Sequence, residues 1–337
     1  MHIDSVRELK ASLPKLLQRR FASTSARAAG NLSVVAARAA REDSRLPSFA
    51  LGVGFAKGQH RLAVRLQNRR LEKSPLLDEI RKQARGEVDV RYVGRIYALA
   101  ATPWYRKRQR PLLIGSSCGT VSNQFLMAGT LGCFVTGKTG KKPLILSNNH
   151  VLADENRYPK GGAVVQPGTL DGGQPTKDRV AKLKSFVKLE LQPAVNLVDA
   201  ALALVDPDVE IDPSTLRGIG RLAGTRTTAL EIGGKVHKVG RTTGVRHGRV
   251  TAIELDDVGV EYDIGVCVFD NQIEIEGTGT RSFSDSGDSG SLIVDDELRA
   301  AALLFAGGDH GGHNDAGLTY ANPIRTVFSK LKVKLLF

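Results

Sequence analysis

Residues 283–295 read FSDSGDSGSLIVD, and the run at its centre, Gly287-Asp288-Ser289-Gly290-Ser291, decides how the rest of the chain is read. Acyl transfer needs a hydroxyl nucleophile beside backbone N–H groups that converge on the developing oxyanion. Gly287 and Gly290 free the backbone for so tight a turn, and the N–H groups of Gly287 and Ser289 would then form the oxyanion hole. Taken alone, a Gly/Asp/Ser run is also an ordinary turn, so the reading depends on what stands upstream. There LILSNNHVLAD (144–154) runs an apolar strand into His150, and NLVDAALALVD (196–206) sets Asp199 directly before an alternating apolar strand. A general base belongs at a strand end, within reach of a nucleophile on another strand. The acid that orients its imidazole should be buried. His150, Asp199 and Ser289 are therefore the candidate catalytic residues.

The surrounding chain suits a strand-rich body. From Gly129 onward, short apolar runs alternate with Gly/Asp/Pro turns, as in LGCFVTGKTGKKPLILSN and NQIEIEG, at the spacing of an all-β barrel. The finish, NPIRTVFSKLKVKLLF, predicts a C-terminal helix capped by Asn322 with Pro323 at its first position. Upstream, residues 48–96 read as two strands, a helix capped by Ser74, and a third strand, a β-β-α-β unit too small for a full barrel. Residues 1–45 predict a basic helix with Val6, Leu9, Leu13, Leu16 and Leu17 on one face and a break at Pro14. The expected division is a basic helical segment (1–45), a small α/β accessory domain with its linker (46–110), and the catalytic domain (111–337).

The order and contexts of His150, Asp199 and Ser289 resemble the chymotrypsin-like serine proteases. VHKVGRTTGVRHGRVTAIE (236–254) resembles a stretch of the bacterial secreted branch typified by α-lytic protease and the streptogrisins. GTLGCF, LSNNHVLA, QPGTLDGG, VDAALA, KVGRTTG, FSDSGDSGS and LLFAGG together resemble the intracellular trypsin-like proteins related to plant NARROW LEAF 1, across about residues 48–335. The resemblance implies a mainly β double barrel and a serine endopeptidase in which His150 is base and later acid, Asp199 orients it, and Ser289 attacks. It also implies an ion pair, Lys238–Asp288, that holds the oxyanion turn, with Arg241 as the alternative partner. Where α-lytic relatives place a Ser that supports the catalytic Asp, this chain has Ala306, so that hydrogen bond must come from elsewhere. Six before the nucleophile stands Phe283, not the Asp of a trypsin pocket. With Phe283 and Phe305 as walls and Ala306, Gly307 and Gly308 offering backbone to an extended substrate, the expectation is an apolar or small P1 side chain.

Composition narrows the setting. Residues 1–110 carry 24 Lys/Arg against 9 Asp/Glu (net +15), whereas residues 111–337 carry 24 against 26 (net −2). Such a basic flank can attract nucleic acid, lipid or an acidic protein; a solvated appendage, or a surface for self-association or a protein partner, is favoured over nucleic acid. Three widely spaced cysteines make neither a disulfide framework nor a zinc pattern, which points to a reducing compartment and a cytoplasmic location. No apolar run is long enough to span a membrane, and the charged N-terminus does not read as a secretory signal. His310 and His313 lie in a glycine-rich loop without the helix or third ligand of a metal site; neither metal nor cofactor is expected. The competing readings are a protease-fold interaction scaffold with weak or no activity, and a protease tethered to nucleic acid by its basic region.

Overall fold

The computed structural model describes residues 2–13, 49–56, 58–66, 69–93, 102–121 and 126–337. The chain divides into two compact units, Met1–Ala100 and Ala101–Phe337.

In the first unit, residues 3–13 are helical, with Val6 and Leu13 buried and Leu9 packed beside them. Pro14, Leu16 and Leu17 of the expected helix lie outside the described residues. Strands Phe49–Ala56 and Gln59–Leu66 pair antiparallel, and Val88–Tyr92 joins parallel to the second of them. A parallel partner requires a crossover, supplied by the helix Pro75–Gln83. The Ser74 hydroxyl accepts from the Leu77 N–H at 3.2 Å and caps that helix. Leu77 and Ile80 then reach Leu62, Val64 and Leu66 from one face of the sheet to make a small core.

The second unit is a mainly β, chymotrypsin-like double barrel. Its first sheet runs, neighbour to neighbour, through Val333–Leu335, Cys133–Gly137, Leu144–Ser147, Ala201–Val205, Arg179–Phe186, Ala163–Val165, Ser117–Thr120 and Gly129–Thr130. Cys133–Gly137, Leu144–Ser147 and Ala201–Val205 are almost wholly buried, whereas Arg179–Phe186 exposes Arg179, Lys182 and Lys184. In the second sheet, Arg299–Gly307, Leu292–Asp295, Lys235–Gly240, Gly244–Leu255, Gln272–Gly277 and Leu318–Pro323 pair in that order. Leu318–Pro323 then pairs back on Arg299–Gly307 and closes the barrel. Its core is built on Val236, Val250, Ile275, Phe283, Ile293 and Leu304. A third, three-stranded sheet stands apart from both: Val195–Asn196, Gly265–Phe269 and Val258–Tyr262.

Two expectations need correction. Asn322 does not cap the C-terminal helix, which spans Ile324–Leu331 with Pro323 in the capping position. The Asn322 side chain is fully buried and is spent elsewhere. The basic stretch 106–110 is no free linker, since these residues fall in the second unit. Arg106 Nε donates to the Arg241 carbonyl, Arg108 pairs with Asp178, and Arg110 donates to Gln166 Oε1.

Candidate functional site

The strand Leu144–Ser147 delivers a single helical turn, Asn149–Leu152, on which His150 sits. Asp199 lies just before Ala201–Val205, the strand antiparallel to Leu144–Ser147, so register alone brings the two residues together. Asp199 Oδ2 lies 2.5 Å from His150 Nδ1. Oδ1 accepts from the backbone N–H groups of Asn149 (2.6 Å) and His150 (3.3 Å). The Asp199 backbone is held as well. Its N–H donates to Asn322 Oδ1 at 2.9 Å, and its carbonyl accepts from Asn148 Nδ2 at 2.7 Å. The carboxylate is wholly buried, yet saturated with donors, which is how a buried charge persists. Burial disfavours the His150 imidazolium, but the charge and hydrogen bond of Asp199, with Glu155 behind it, outweigh that and hold its pKa above the ordinary value.

The missing fourth partner of Asp199 is Tyr262. Its hydroxyl donates to Oδ2 at 2.9 Å from the three-stranded sheet outside the barrels. Burial first, and the Asp199 charge second, push the Tyr262 pKa well above its usual value, so the phenol stays a donor. Val258, Val260 and Tyr262 alternate inward along their strand, the signal that could have drawn notice to the tyrosine. Nothing in its neighbourhood of the sequence indicates a partner 63 positions away.

The turn around Ser289 rests on Asp288, whose carboxylate is fully buried. Oδ1 accepts from the N–H groups of Thr242 and Thr243, and Oδ2 from the Thr243 hydroxyl and the Asp285 N–H. Lys238 Nζ lies 2.7 Å from Oδ2, and neither side chain has any exposure. Burial pulls the Lys238 pKa below its ordinary value, against the opposing pull of Asp288. Arg241, weighed as the alternative, instead forms a two-pronged pair with Asp171. Thr130, which sequence reasoning passed over, ties the first barrel to this turn: its N–H donates to the Ser289 carbonyl and its hydroxyl to the Gly287 carbonyl. Gly290, at φ +91°, leaves no room for a Cβ, which would sit 2.1 Å from Ser147 Oγ and 2.4 Å from the Thr130 carbonyl oxygen.

Lys238→Met is expected to destabilise the fold by about 3–5 kcal/mol, because it strands a buried carboxylate. Urea denaturation measures this. Lys238→Met combined with Asp288→Asn should lose clearly less than Lys238→Met alone, and an equal loss would show that the pair is not coupled.

His150 and Ser289 line one cavity of about 570 Å³, together with Tyr262, Ser284, Phe305, Ala306, Gly307 and Gly308. No hydrogen bond joins the two catalytic candidates in this structure, the loose geometry common to such pairs before substrate binds. The N–H groups of Gly287 and Ser289 donate to no described residue, unlike those of Asp288, Gly290 and Ser291 around them. Phe283 does not wall this cavity. It is fully buried in the second barrel's core, while its neighbours Ser282 and Ser284 face the cavity. His313 of the glycine-rich loop pairs with Glu276, whose pKa is pulled down to about 2, first by Arg249.

Residues 200–317 match the model of the Nal1 C-terminal domain. Over 204 residues the chain is 28% identical to Protein NARROW LEAF 1 of Oryza sativa subsp. japonica, covering 54% of this chain and 33% of that protein. The chain therefore spans about one third of the length of that relative. Among solved structures, Thermobifida fusca Protease A is 16% identical, with a TM-score of 0.45 over 66% of this chain and 97% of its own. Nocardiopsis Protease (NAPase) is 16% identical, with a TM-score of 0.47 over 67% and 98%. In sequence the chain is similar to NARROW LEAF 1, and its second unit carries the mainly β double barrel.

Proposed function

We propose that this chain is a serine endopeptidase. Ser289 Oγ attacks the scissile carbonyl and passes its proton to His150 Nε2, while Asp199 holds the ring by Nδ1. The oxyanion falls between the N–H groups of Gly287 and Ser289. His150 then protonates the leaving amine, and water, activated by the same imidazole, releases the acyl group. One observation carries the reading: an imidazole bonded to a buried, saturated carboxylate faces a cavity shared with a serine hydroxyl and two unengaged amides. The test is a fluorophosphonate probe followed by peptide mass mapping. An adduct on Ser289 is expected, and no adduct, or one on another residue, would overturn the assignment in favour of a protease-fold scaffold.

For the substrate we propose an extended polypeptide segment with basic side chains. Among the described residues, past Leu304 the strand Arg299–Gly307 pairs only with Leu318–Pro323, so Phe305 to Gly307 present an edge to which a strand can add. A second cavity of about 500 Å³ adjoins the first along Val260, Glu261 and Ala306–Gly308. Asp256, Asp257, Glu261, Glu274, Asp285 and Asp309 line the two, with no Lys or Arg among the lining residues. A cleft lined by one sign of charge concentrates the opposite sign. That favours basic side chains over the apolar or small ones that Phe283 suggested. Peptides bearing Lys or Arg should exceed Glu-bearing counterparts by about tenfold or more in kcat/KM at low ionic strength, with the gap narrowing as salt screens it. A ratio unchanged by salt would argue against this.

We further infer a regulatory or processing role in the cytoplasm on a restricted set of proteins, with residues 1–110 serving recognition or assembly. In support, Cys118, Cys133 and Cys267 are unbridged and buried, and burial pushes the Cys118 thiol up to about 12. No described helix is long and apolar enough to cross a membrane.

A further inference from the structure

We propose that Tyr262 is the positioning residue for Asp199, and that Glu155 locks it in place by holding the hairpin that carries it. This rests on the endopeptidase reading above and asks what sets the proton affinity of its imidazole. Tyr262 ends the strand Val258–Tyr262, and Asp263 and Ile264 turn the chain into Gly265–Phe269. Glu155 spans that turn. Its Oε1 accepts from the Asp263 N–H at 3.2 Å and its Oε2 from the Ile264 N–H at 3.0 Å.

Reaching the turn costs backbone strain. Asp154, Glu155 and Asn156 are all left-handed, with φ of 46°, 52° and 75°. The strain is held by a reciprocal pair, in which the Asn149 amide donates to Asn156 Oδ1 and the Asn156 N–H donates to Asn149 Oδ1. The residue before His150 therefore fixes the loop that fixes the hairpin that fixes Asp199. The tyrosine ring tilts against His150 and Phe269, with centroids 5.8 and 6.2 Å away, which sets the direction of its hydroxyl.

Tyr262 and His150 meet the same carboxylate oxygen. A donor on that oxygen withdraws negative charge that would otherwise favour the imidazolium, so removing it raises the His150 pKa. The Glu155 charge by itself favours the imidazolium, so its two effects on His150, through space and through the hairpin, oppose each other. The groups facing His150 are Asp199, Tyr262 and Glu155, with Glu261, Asp285 and Asp309 across the shared cavity.

The test uses the full chain and the imidazole resonances of His150, assigned by their loss in His150→Ala. Tyr262→Phe, which keeps the ring, should raise the titration midpoint by about half a pH unit or more, and by clearly less when Glu155→Gln has already released the hairpin. No rise, or an equal rise in both backgrounds, would overturn the proposal. In parallel, Tyr262→Phe should cut kcat on a Lys-bearing peptide by about tenfold while KM stays within about threefold. A KM-only effect counts against the proposal. A Tyr262→Phe rise that shrinks with Glu155→Gln, in a chain that cleaves nothing, would sink the endopeptidase reading and leave the positioning role standing.

Discussion

Ser289→Ala is expected to lower kcat by about 10⁵- to 10⁶-fold while leaving the fold and its unfolding midpoint essentially unchanged. The structural cost is small because the Ser289 hydroxyl makes no hydrogen bond to any described residue. The residue is anchored by its backbone, whose carbonyl accepts from the Thr130 N–H at 2.8 Å. What is lost is the covalent route itself. The N–H groups of Gly287 and Ser289 survive the change, so a residual rate above that of free water should remain. Measured kcat on a basic peptide, with circular dichroism as the fold control, decides it. A loss below about 100-fold would mean that another group is the nucleophile.

Asp199→Asn is the second large effect, about 10⁴-fold in kcat, and its cause can be traced atom by atom. The N–H groups of Asn149 and His150 both point at Oδ1, so the carboxamide must place its oxygen there. Its NH₂ then occupies the Oδ2 position, opposite His150 Nδ1 and the Tyr262 hydroxyl. A donor facing Nδ1 obliges that nitrogen to accept, and the ring proton moves to Nε2. An Nε2 that already carries a proton cannot take one from Ser289. The rate of fluorophosphonate labelling should fall in step with kcat, since both need the same proton transfer. Labelling at the unmodified rate would show that Asp199 does not set the tautomer.

The contrast between Phe283 and Tyr262 shows where reading from sequence stops. Phe283 stands six residues before Ser289, and position alone suggested a pocket wall. Its side chain instead fills the barrel core, and the serines on either side face the cavity. Tyr262 carries no motif, yet it supplies the hydrogen bond that Ala306 cannot. Asn322 sits where a helix cap is expected, but full burial beside Asp199 puts its carbonyl oxygen on that residue's N–H. In each case the side chain's partner is distant in sequence, and local pattern carries no information about it.

By itself the sequence determined what is written in short range. Strand periodicity gave a β body, glycines marked the turn around Ser289, and apolar contexts singled out His150 and Asp199 for one site. Only the tertiary structure decided who completes that site: Tyr262 on a hairpin outside both barrels, Lys238 spent inside the second, and carboxylates gathered along the cleft. The reason is physical. Backbone conformation and burial follow from neighbours a few residues away, whereas a charge's partners and a cavity's sign depend on which strands close beside which.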